Sequence, residues 1–129
     1  MNGNRLLRLM VAPILALALG RAAGAQEIPM GRFPQQSGEE LFRNICQGCH
    51  MPDAKGATGA GNYPALASNP RLAAAVYPIT VVLHGQRAMP AFGDGLDDAQ
   101  IANVINYVRS HFGNRYKDQV TPEAVKAHR

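Results

Sequence analysis

The sequence is poor in the residues that usually fill and staple a small domain. It contains no tryptophan, four phenylalanines, four tyrosines and only two cysteines. With so few aromatic rings, a short chain has little bulky apolar material for its core. The two cysteines are separated by two residues, and a disulfide between them would close too small a loop to staple a domain. The composition therefore predicts only a modest core from side chains alone.

Other common uses of paired cysteines lack support as well. Structural zinc needs four ligands, but the histidines outside the cysteine segment, His84, His111 and His128, are scattered singly. A thioredoxin-like redox pair expects a βαβ context, which this sequence does not offer. A different cysteine chemistry is needed.

The two cysteines lie in the run Cys46-Gln47-Gly48-Cys49-His50. This is C-x-x-C-H, the attachment signature for c-type haem. Each thiol can add to one haem vinyl group, and the two-residue spacer lets both sulfurs reach one edge of the porphyrin. We therefore expect one covalently bound haem c, with Cys46 and Cys49 as its thioether residues and His50 as an iron ligand.

The first 25 residues have the pattern of a cleaved secretory signal peptide. Arg5 and Arg8 form a basic start, residues 9–19 an apolar stretch, and residues 23–25 an A-x-A cleavage site. The apolar stretch is shorter than the roughly 17 to 25 residues that span a bilayer. We expect export from the cytoplasm without stable membrane insertion after cleavage, and an uncleaved anchor stays open as the alternative. Proteins with c-type haem that resemble this pattern receive it outside the bacterial cytoplasm, which implies the periplasm as the destination.

The basic character of the chain belongs mainly to that leader. The full sequence has 13 Lys and Arg against nine Asp and Glu, a formal net charge of +4. Arg5, Arg8 and Arg21 would leave with the signal peptide, while every acidic residue would stay, so ten basic residues would face nine acidic ones. We therefore expect neither nucleic-acid binding nor a polybasic membrane patch.

The rest of the chain predicts an arm followed by one helical domain. Residues 26–36 have two prolines and no apolar period, which predicts an extended arm before a domain over residues 37–129. Ser37 and Glu40 form a capping box that starts a first helix with Leu41, Phe42 and Ile45 on its apolar face. Residues 51–68, rich in Gly, Ala and Pro, predict an irregular loop wrapped round the porphyrin.

Two short helices are expected next. Asn69 and Pro70 predict a cap and first position for a helix over residues 70–76. A second helix is expected over residues 79–84, stopping at Gly85. Its β-branched run makes a strand the local rival, but no partner strand is evident.

The last strong helix has the clearest pattern. Asp97 and Gln100 form a capping box, and Gly113 is the expected stop. Its buried face follows helical spacing: Ile101, Val104, Ile105, Val108 and Phe112. Thr121-Pro122 predicts a short C-terminal helical tail.

Met89 is the best candidate for the second iron ligand. A soft thioether stabilises reduced iron, and Pro90 and the glycines that follow predict a tight, stiff loop around it. Met51 adjoins His50 and cannot cross to the opposite face of the haem. The alternatives are that Met89 is an ordinary core methionine or that His84 is the ligand.

These features together resemble a class I monohaem cytochrome c over roughly residues 37–114. The resemblance rests on the C-x-x-C-H motif, on Met89-Pro90 and on the last strong helix. Gly38 and Phe42, with Tyr107, are similar to the contacts where the terminal helices cross in that family. The resemblance implies an all-α cytochrome c fold, with three to five helices wrapped around one covalently bound haem.

A narrower resemblance concerns residues 82–85, residues 89–93 and the tail at 120–123. These are similar to small cytochrome subunits of bacterial periplasmic dehydrogenases. They imply an electron carrier with no catalysis of its own, reduced by a flavin, quinone-cofactor or molybdenum dehydrogenase and oxidised by a respiratory cytochrome or oxidase. The alternative is a haem enzyme or gas-sensing cytochrome with a displaceable sixth ligand, but no distal acid or base is evident.

The resemblance also implies further haem contacts. Tyr63-Pro64 is similar to the position where a proline carbonyl accepts the proton of the axial histidine. Tyr63, Arg87 and Phe92 are candidates for contact with the haem or its propionates, with ordinary packing or a solvated surface as the alternative for each. The lysine ring of the family is not reproduced, which puts docking through a basic patch in doubt.

Overall fold

The computed structural model describes residues 33–129. The predicted signal peptide, residues 1–25, and most of the predicted arm lie outside the described residues. Phe33 to Gln36, the end of that arm, contain no helix or strand. In the described part of the chain, no helix has the length and apolar character needed to cross a membrane.

The described residues form short helices and one small sheet. In chain order they are α1 (Gly38–Leu41), a π-helical turn (Phe42–Cys46), α2 (Gln47–His50), β1 (Ala57–Thr58), β2 (Asn62–Tyr63), a 3-10 helix (Pro70–Leu72), α3 (Val76–His84), α4 (Asp98–Ser110) and α5 (Pro122–Lys126). The helical architecture expected from the sequence is present, with the small sheet in addition.

The first helical run begins where the capping box predicted. The Ser37 hydroxyl accepts a hydrogen bond from the Glu40 backbone N–H at 3.2 Å, and a Glu40 carboxylate oxygen lies 3.4 Å from the Ser37 nitrogen. The run continues to His50 through the π turn, in which the Gln47 N–H donates to the Phe42 carbonyl. That turn was not predicted, because no residue type reports it.

α4 is the central element of the core. Its capping box is confirmed, because Asp97 Oδ1 accepts from the Gln100 N–H at 2.8 Å and Gln100 Oε1 accepts from the Asp97 N–H at 3.0 Å. The predicted apolar face is buried at Ile101, Val104, Ile105 and Val108. This face packs in one cluster with residues of the first helical run, α3 and α5.

The crossing of the first helical run with α4 also follows the expectation. Gly38 lies directly against the Asn103 backbone and the Tyr107 side chain. The Phe42 ring lies 5.9 Å from the Tyr107 ring and 4.7 Å from the Phe112 ring, centroid to centroid. Such tilted aromatic pairs add to the packing of the first helical run against α4 and the residues that follow it.

The segment expected to be wholly irregular contains the sheet. β1 and β2 pair antiparallel, with Ala57 opposite Tyr63 and Thr58 opposite Asn62. The prediction missed this hairpin because strands of two residues are too short to show an alternating pattern.

The boundaries of α3 and of the preceding helix differ from the prediction. Asn69 caps as expected, with its Oδ1 2.9 Å from the Arg71 nitrogen, but the 3-10 helix ends at Leu72 instead of reaching Val76. α3 begins at Val76, earlier than the predicted Ile79. Pro78 is tolerated there because backbone N–H groups of a first helical turn need no partner within the helix.

The end of α4 differs as well. The helix stops at Ser110, three residues before Gly113, and His111 is extended with φ −118° and ψ −179°. Phe112 then takes a φ of 56° and Gly113 a φ of 81°. This reversal of the chain turns the Phe112 ring towards Phe42. A tertiary contact, and not the glycine at position 113, therefore decides where α4 ends.

A buried arginine ties three separate segments together. Arg109 of α4 is 1% exposed, and its guanidinium donates to the carbonyl oxygens of Leu72 (2.9 Å), Ala73 (3.1 Å) and Asp118 (2.6 Å). It also lies 2.7 Å from the Asp118 carboxylate, and this hydrogen bond lowers the pKa of Asp118. A buried charge needs such partners.

Candidate functional site

The two cysteines lie at the end of the first helical run and are not joined by a disulfide. Cys46 closes the π turn and is half-buried, whereas Cys49 on α2 is exposed. Burial, with a smaller contribution from Cys49, raises the pKa of the Cys46 thiol to about 12.

His50, the last residue of α2, is held by a carbonyl from a distant loop. Its side chain is 7% exposed, and its Nδ1 lies 2.9 Å from the carbonyl oxygen of Pro64. A carbonyl oxygen can only accept, so Nδ1 is the donor, and in the neutral ring Nε2 then keeps its lone pair. This is the tautomer that a metal-binding histidine needs.

The loop after α2 brings Pro64 under His50. The Gly56 N–H donates to the His50 carbonyl at 3.0 Å, and the Leu66 N–H donates to the Ala54 carbonyl at 2.8 Å. Gly56 has a φ of 69°, and a Cβ there would meet the Tyr63 carbonyl oxygen and lie 2.7 Å from the Pro64 carbonyl carbon. The chain can fold back at this point only because the residue is glycine.

Met89 lies half-buried in a tight loop after α3. The backbones of Gln86 and Met89 exchange two hydrogen bonds of 3.0 Å each. Gly85 has a φ of 73°, and a Cβ on it would stand 2.7 Å from the Met89 carbonyl oxygen. The absence of a side chain at position 85 therefore lets the methionine segment approach the end of α3.

Further backbone contacts dock this loop on α3. The Phe92 N–H donates to the Val82 carbonyl at 2.9 Å, and the Gly93 N–H donates to the Leu83 carbonyl at 3.2 Å. Carbonyls at the C-terminal end of a helix have no partner within it, so the loop satisfies them. The backbone around Met89 is thus fixed on both sides of the methionine.

The remaining candidate haem contacts and the rival iron ligand have no arrangement that points to a ligand. Tyr63 is 38% exposed, Arg87 is exposed with a φ of 55°, and Phe92 is half-buried against the core. His84, the rival ligand, ends α3 and is exposed, and its Nε2 lies 2.9 Å from the His128 carbonyl oxygen. No sequence signal pointed to this pairing, because the partners are 44 residues apart. Haem contact by Tyr63, Arg87 and Phe92 stays a prediction.

The donor set fits a covalently attached haem. Cys46 and Cys49 are free for thioether bonds, and His50 has an Nε2 lone pair with a fixed ring orientation. Met89 supplies a thioether from a loop whose backbone is anchored. These four residues would hold the group, and each type matches a known role in c-type haem attachment or axial ligation.

Comparison with known proteins places this donor set in a family. The family model described as cytochrome C oxidase, cbb3-type, subunit III matches residues 34–108. The fructose dehydrogenase cytochrome subunit of Gluconobacter japonicus is 35% identical over 104 residues, covering 69% of this chain and 21% of that protein. The gluconate 2-dehydrogenase cytochrome c subunit of Pantoea cypripedii is 30% identical over 102 residues, covering 70% and 23%.

A smaller relative matches over nearly its whole length. Cytochrome c6 of Diacronema lutheri is 35% identical over 82 residues, covering 60% of this chain and 95% of that protein. By contrast, the chain spans only 21% and 23% of the two dehydrogenase subunits. The C-x-x-C-H motif and Met89 both fall within the region that the family model matches. The chain therefore belongs to the cytochrome c family described as cbb3-type cytochrome c oxidase subunit III, and its cofactor is a covalently bound haem c.

Proposed function

We propose that the protein is a one-electron carrier of the bacterial periplasm in which His50 and Met89 are the two axial ligands of the haem iron. The observation that carries the proposal is the 2.9 Å contact of His50 Nδ1 with the Pro64 carbonyl oxygen, which leaves Nε2 for iron. When bound, the haem supplies a centre that takes up and returns one electron, at a potential that methionine ligation raises.

The residues of the chain keep the ligands still. The Pro64 carbonyl fixes the His50 ring and makes its Nε2 more basic, as outer partners of metal ligands do. The backbone hydrogen bonds of Phe92 and Gly93 to α3 hold the Met89 loop. A pair of ligands that stays in place in both oxidation states needs little structural change on electron transfer.

A dehydrogenase is the proposed electron donor. The fructose and gluconate 2-dehydrogenase cytochrome subunits, and the cytochrome c subunit of the quinone alcohol dehydrogenase of Komagataeibacter europaeus, support this choice. The donor would be a flavin, quinone-cofactor or molybdenum enzyme, and the acceptor a respiratory cytochrome or oxidase. The chain itself would carry electrons without substrate chemistry, exported through the signal peptide at residues 1–25.

Absorbance of the purified haem protein tests the ligation. We expect a low-spin ferric form with the weak methionine–iron band. Met89→Ala should lose that band, turn high-spin, bind cyanide and carbon monoxide quickly, and fall in reduction potential. Met51→Leu, which alters a methionine next to His50, should keep the band. A parent protein that is already high-spin and binds cyanide as fast as Met89→Ala would favour the haem enzyme or gas sensor.

The donor is tested separately. Purified periplasmic dehydrogenases of the three cofactor types, each with its own substrate, would be mixed with the ferric protein while haem reduction is followed. One of them should reduce it at a saturable rate. Reduction by none of them, in a protein with the methionine–iron band, would contradict the dehydrogenase donor and leave the ligation intact.

A further inference from the structure

The C-terminal tail, residues 120–129, folds back onto the segment that follows the Met89 loop. The Arg129 guanidinium donates through Nη1 to the Gly93 carbonyl and through Nη2 to the Leu96 carbonyl, the latter at 2.9 Å. Its Nε lies 2.5 Å from the Asp98 carboxylate. All three acceptors belong to residues 93–98, which run from the end of the Met89 loop to the first residue of α4.

A second contact ties the tail to the other side of the same loop. His84 Nε2 lies 2.9 Å from the His128 carbonyl oxygen, and since a carbonyl only accepts, His84 donates. His84 is the last residue of α3, immediately before the glycine that opens the Met89 loop. The tail therefore contacts the segments on both sides of the Met89 loop, the end of α3 and residues 93–98.

The tail is itself fixed to the core. Val125 is fully buried, and the Thr121 hydroxyl accepts from the Ala124 N–H at 3.2 Å to cap α5. The Asn106 side chain of α4 bonds the Val120 backbone twice, accepting from its N–H at 2.8 Å and donating to its carbonyl at 2.9 Å. Arg129 thus follows a segment that is packed on the core and hydrogen-bonded to α4.

An arginine suits this position better than any other side chain. Its guanidinium presents five donors in a rigid fork, so one group can bond two carbonyls and a carboxylate at once. The Arg129 side chain is 35% exposed and that of Asp98 is 26% exposed, so water weakens the ion pair only in part. An exposed pair alone contributes little, but the bonds to two backbone carbonyls restrain the chain directly.

We propose that Arg129 is a positioning residue for Met89. By holding the carbonyls of Gly93 and Leu96, it fixes the downstream end of the loop and keeps the thioether against the iron. This inference rests on the proposed His50 and Met89 ligation. Arg129 acts through the loop backbone, and the His84–His128 contact supports the upstream end.

Competition by imidazole for the iron measures how firmly Met89 is held. The ferric haem protein and its Arg129→Ala variant would be titrated with imidazole while the methionine–iron band is followed. We expect half-displacement of Met89 at an imidazole concentration about tenfold lower in the variant, equivalent to about 1.4 kcal/mol. Lys126→Ala removes the same charge from an exposed side chain on α5 and should change this concentration by less than about twofold. Asp98→Asn, which leaves both carbonyl contacts, should give a smaller shift than Arg129→Ala.

The outcomes separate this inference from the proposal on which it rests. A parent protein without the methionine–iron band would overturn both. A parent with the band and an Arg129→Ala variant with unchanged imidazole affinity would overturn the positioning role alone, even if the variant unfolds at lower urea. Should Arg129→Ala fail to accumulate with haem, Arg129→Lys replaces it, because one ammonium group cannot reproduce the three-way fork. An unchanged imidazole affinity in that variant would equally refute the role.

Discussion

The carbonyl oxygen of Pro64 lies 2.9 Å from Nδ1 of His50, although the two residues are 14 positions apart. The contact depends on the loop between them folding back at Gly56, where the backbone passes close to Tyr63 and Pro64. The orientation of the proposed iron ligand is therefore set by a glycine that has no contact with iron.

Gly56→Ala should disturb that orientation. The new Cβ would overlap the backbone of Tyr63 and Pro64 and would impose a φ of 69° on a residue that resists it. We expect the free energy of unfolding of the haem protein to fall by about 1–3 kcal/mol in urea titrations. Gly59→Ala lies in the same loop with nothing within 4 Å of its Cβ and is the matched control. Equal stability of the two variants would contradict the role of Gly56.

Gly85→Ala should act on Met89, the proposed second ligand. Its Cβ would stand 2.7 Å from the Met89 carbonyl oxygen, so the loop must move away from α3. We expect a weaker methionine–iron band and easier displacement of Met89 by imidazole, measured on the ferric protein. Gly95→Ala changes a glycine farther along the same segment, where the nearest atom is 3.4 Å away, and should keep the band. Persistence of the full band in Gly85→Ala would show that the close approach is dispensable.

Acid should weaken the ion pair between Arg109 and Asp118, which is called the Arg109 clamp below. The hydrogen bond from Arg109 lowers the pKa of Asp118 from its ordinary value of 3.8. A carboxyl with a lowered folded-state pKa stabilises the fold above its unfolded-state pKa, and this contribution is lost as pH falls through the lower value. The stability difference between the parent and Asp118→Asn should therefore be constant near neutral pH and shrink below about pH 4.

Urea titrations of both proteins across that range measure the difference. Asp94→Asn, which removes an exposed carboxylate outside the Arg109 clamp, is the control. A difference that grows as pH falls would have the wrong sign for this pair.

Gln100→Glu should loosen the segment before the first helix. Gln100 is 3% exposed, and its Nε2 donates at 2.7 Å to the carbonyls of both Phe33 and Gln35. A glutamate carboxylate cannot donate, so the carbonyl oxygens of Phe33 and Gln35 would lose their donor and face a buried carboxylate. We expect a loss of about 1–3 kcal/mol in unfolding free energy and faster proteolysis before Ser37. Gln119→Glu, at an exposed position, should behave as the parent does.

Local signals in the sequence predicted the starts of the helices that have a capping side chain, but not the start of α3. The capping boxes at Ser37 and Asp97 and the Thr121 cap depend on residues three positions apart, so their chemistry is visible in a short window. The family resemblance added Pro64 as the partner of the axial histidine, which spacing alone would not have indicated. The iron-ligand roles of His50 and Met89 stay predictions for the experiments above.

Features that depend on distant partners escaped prediction. The end of α4 follows from the packing of Phe112 on Phe42, and the burial of Arg109 follows from acceptors on two other segments. Arg129 carried no signal either, because its acceptors lie more than 30 positions away. Such contacts form only when the chain closes on itself.

The π turn between Phe42 and Cys46 acts as a rotational adjustment within a helical run. One residue more or less in a helix rotates everything beyond it by about 100°. Phe42 faces the core, and the single extra residue of the turn sets the angle at which Cys46, Cys49 and His50 leave that face. A regular α-helix over the same residues would leave the haem motif intact in the sequence but would rotate it away from the direction that the turn gives it. A C-x-x-C-H segment that is transplanted into another helix must therefore have the correct rotation about the helix axis as well as the correct residues.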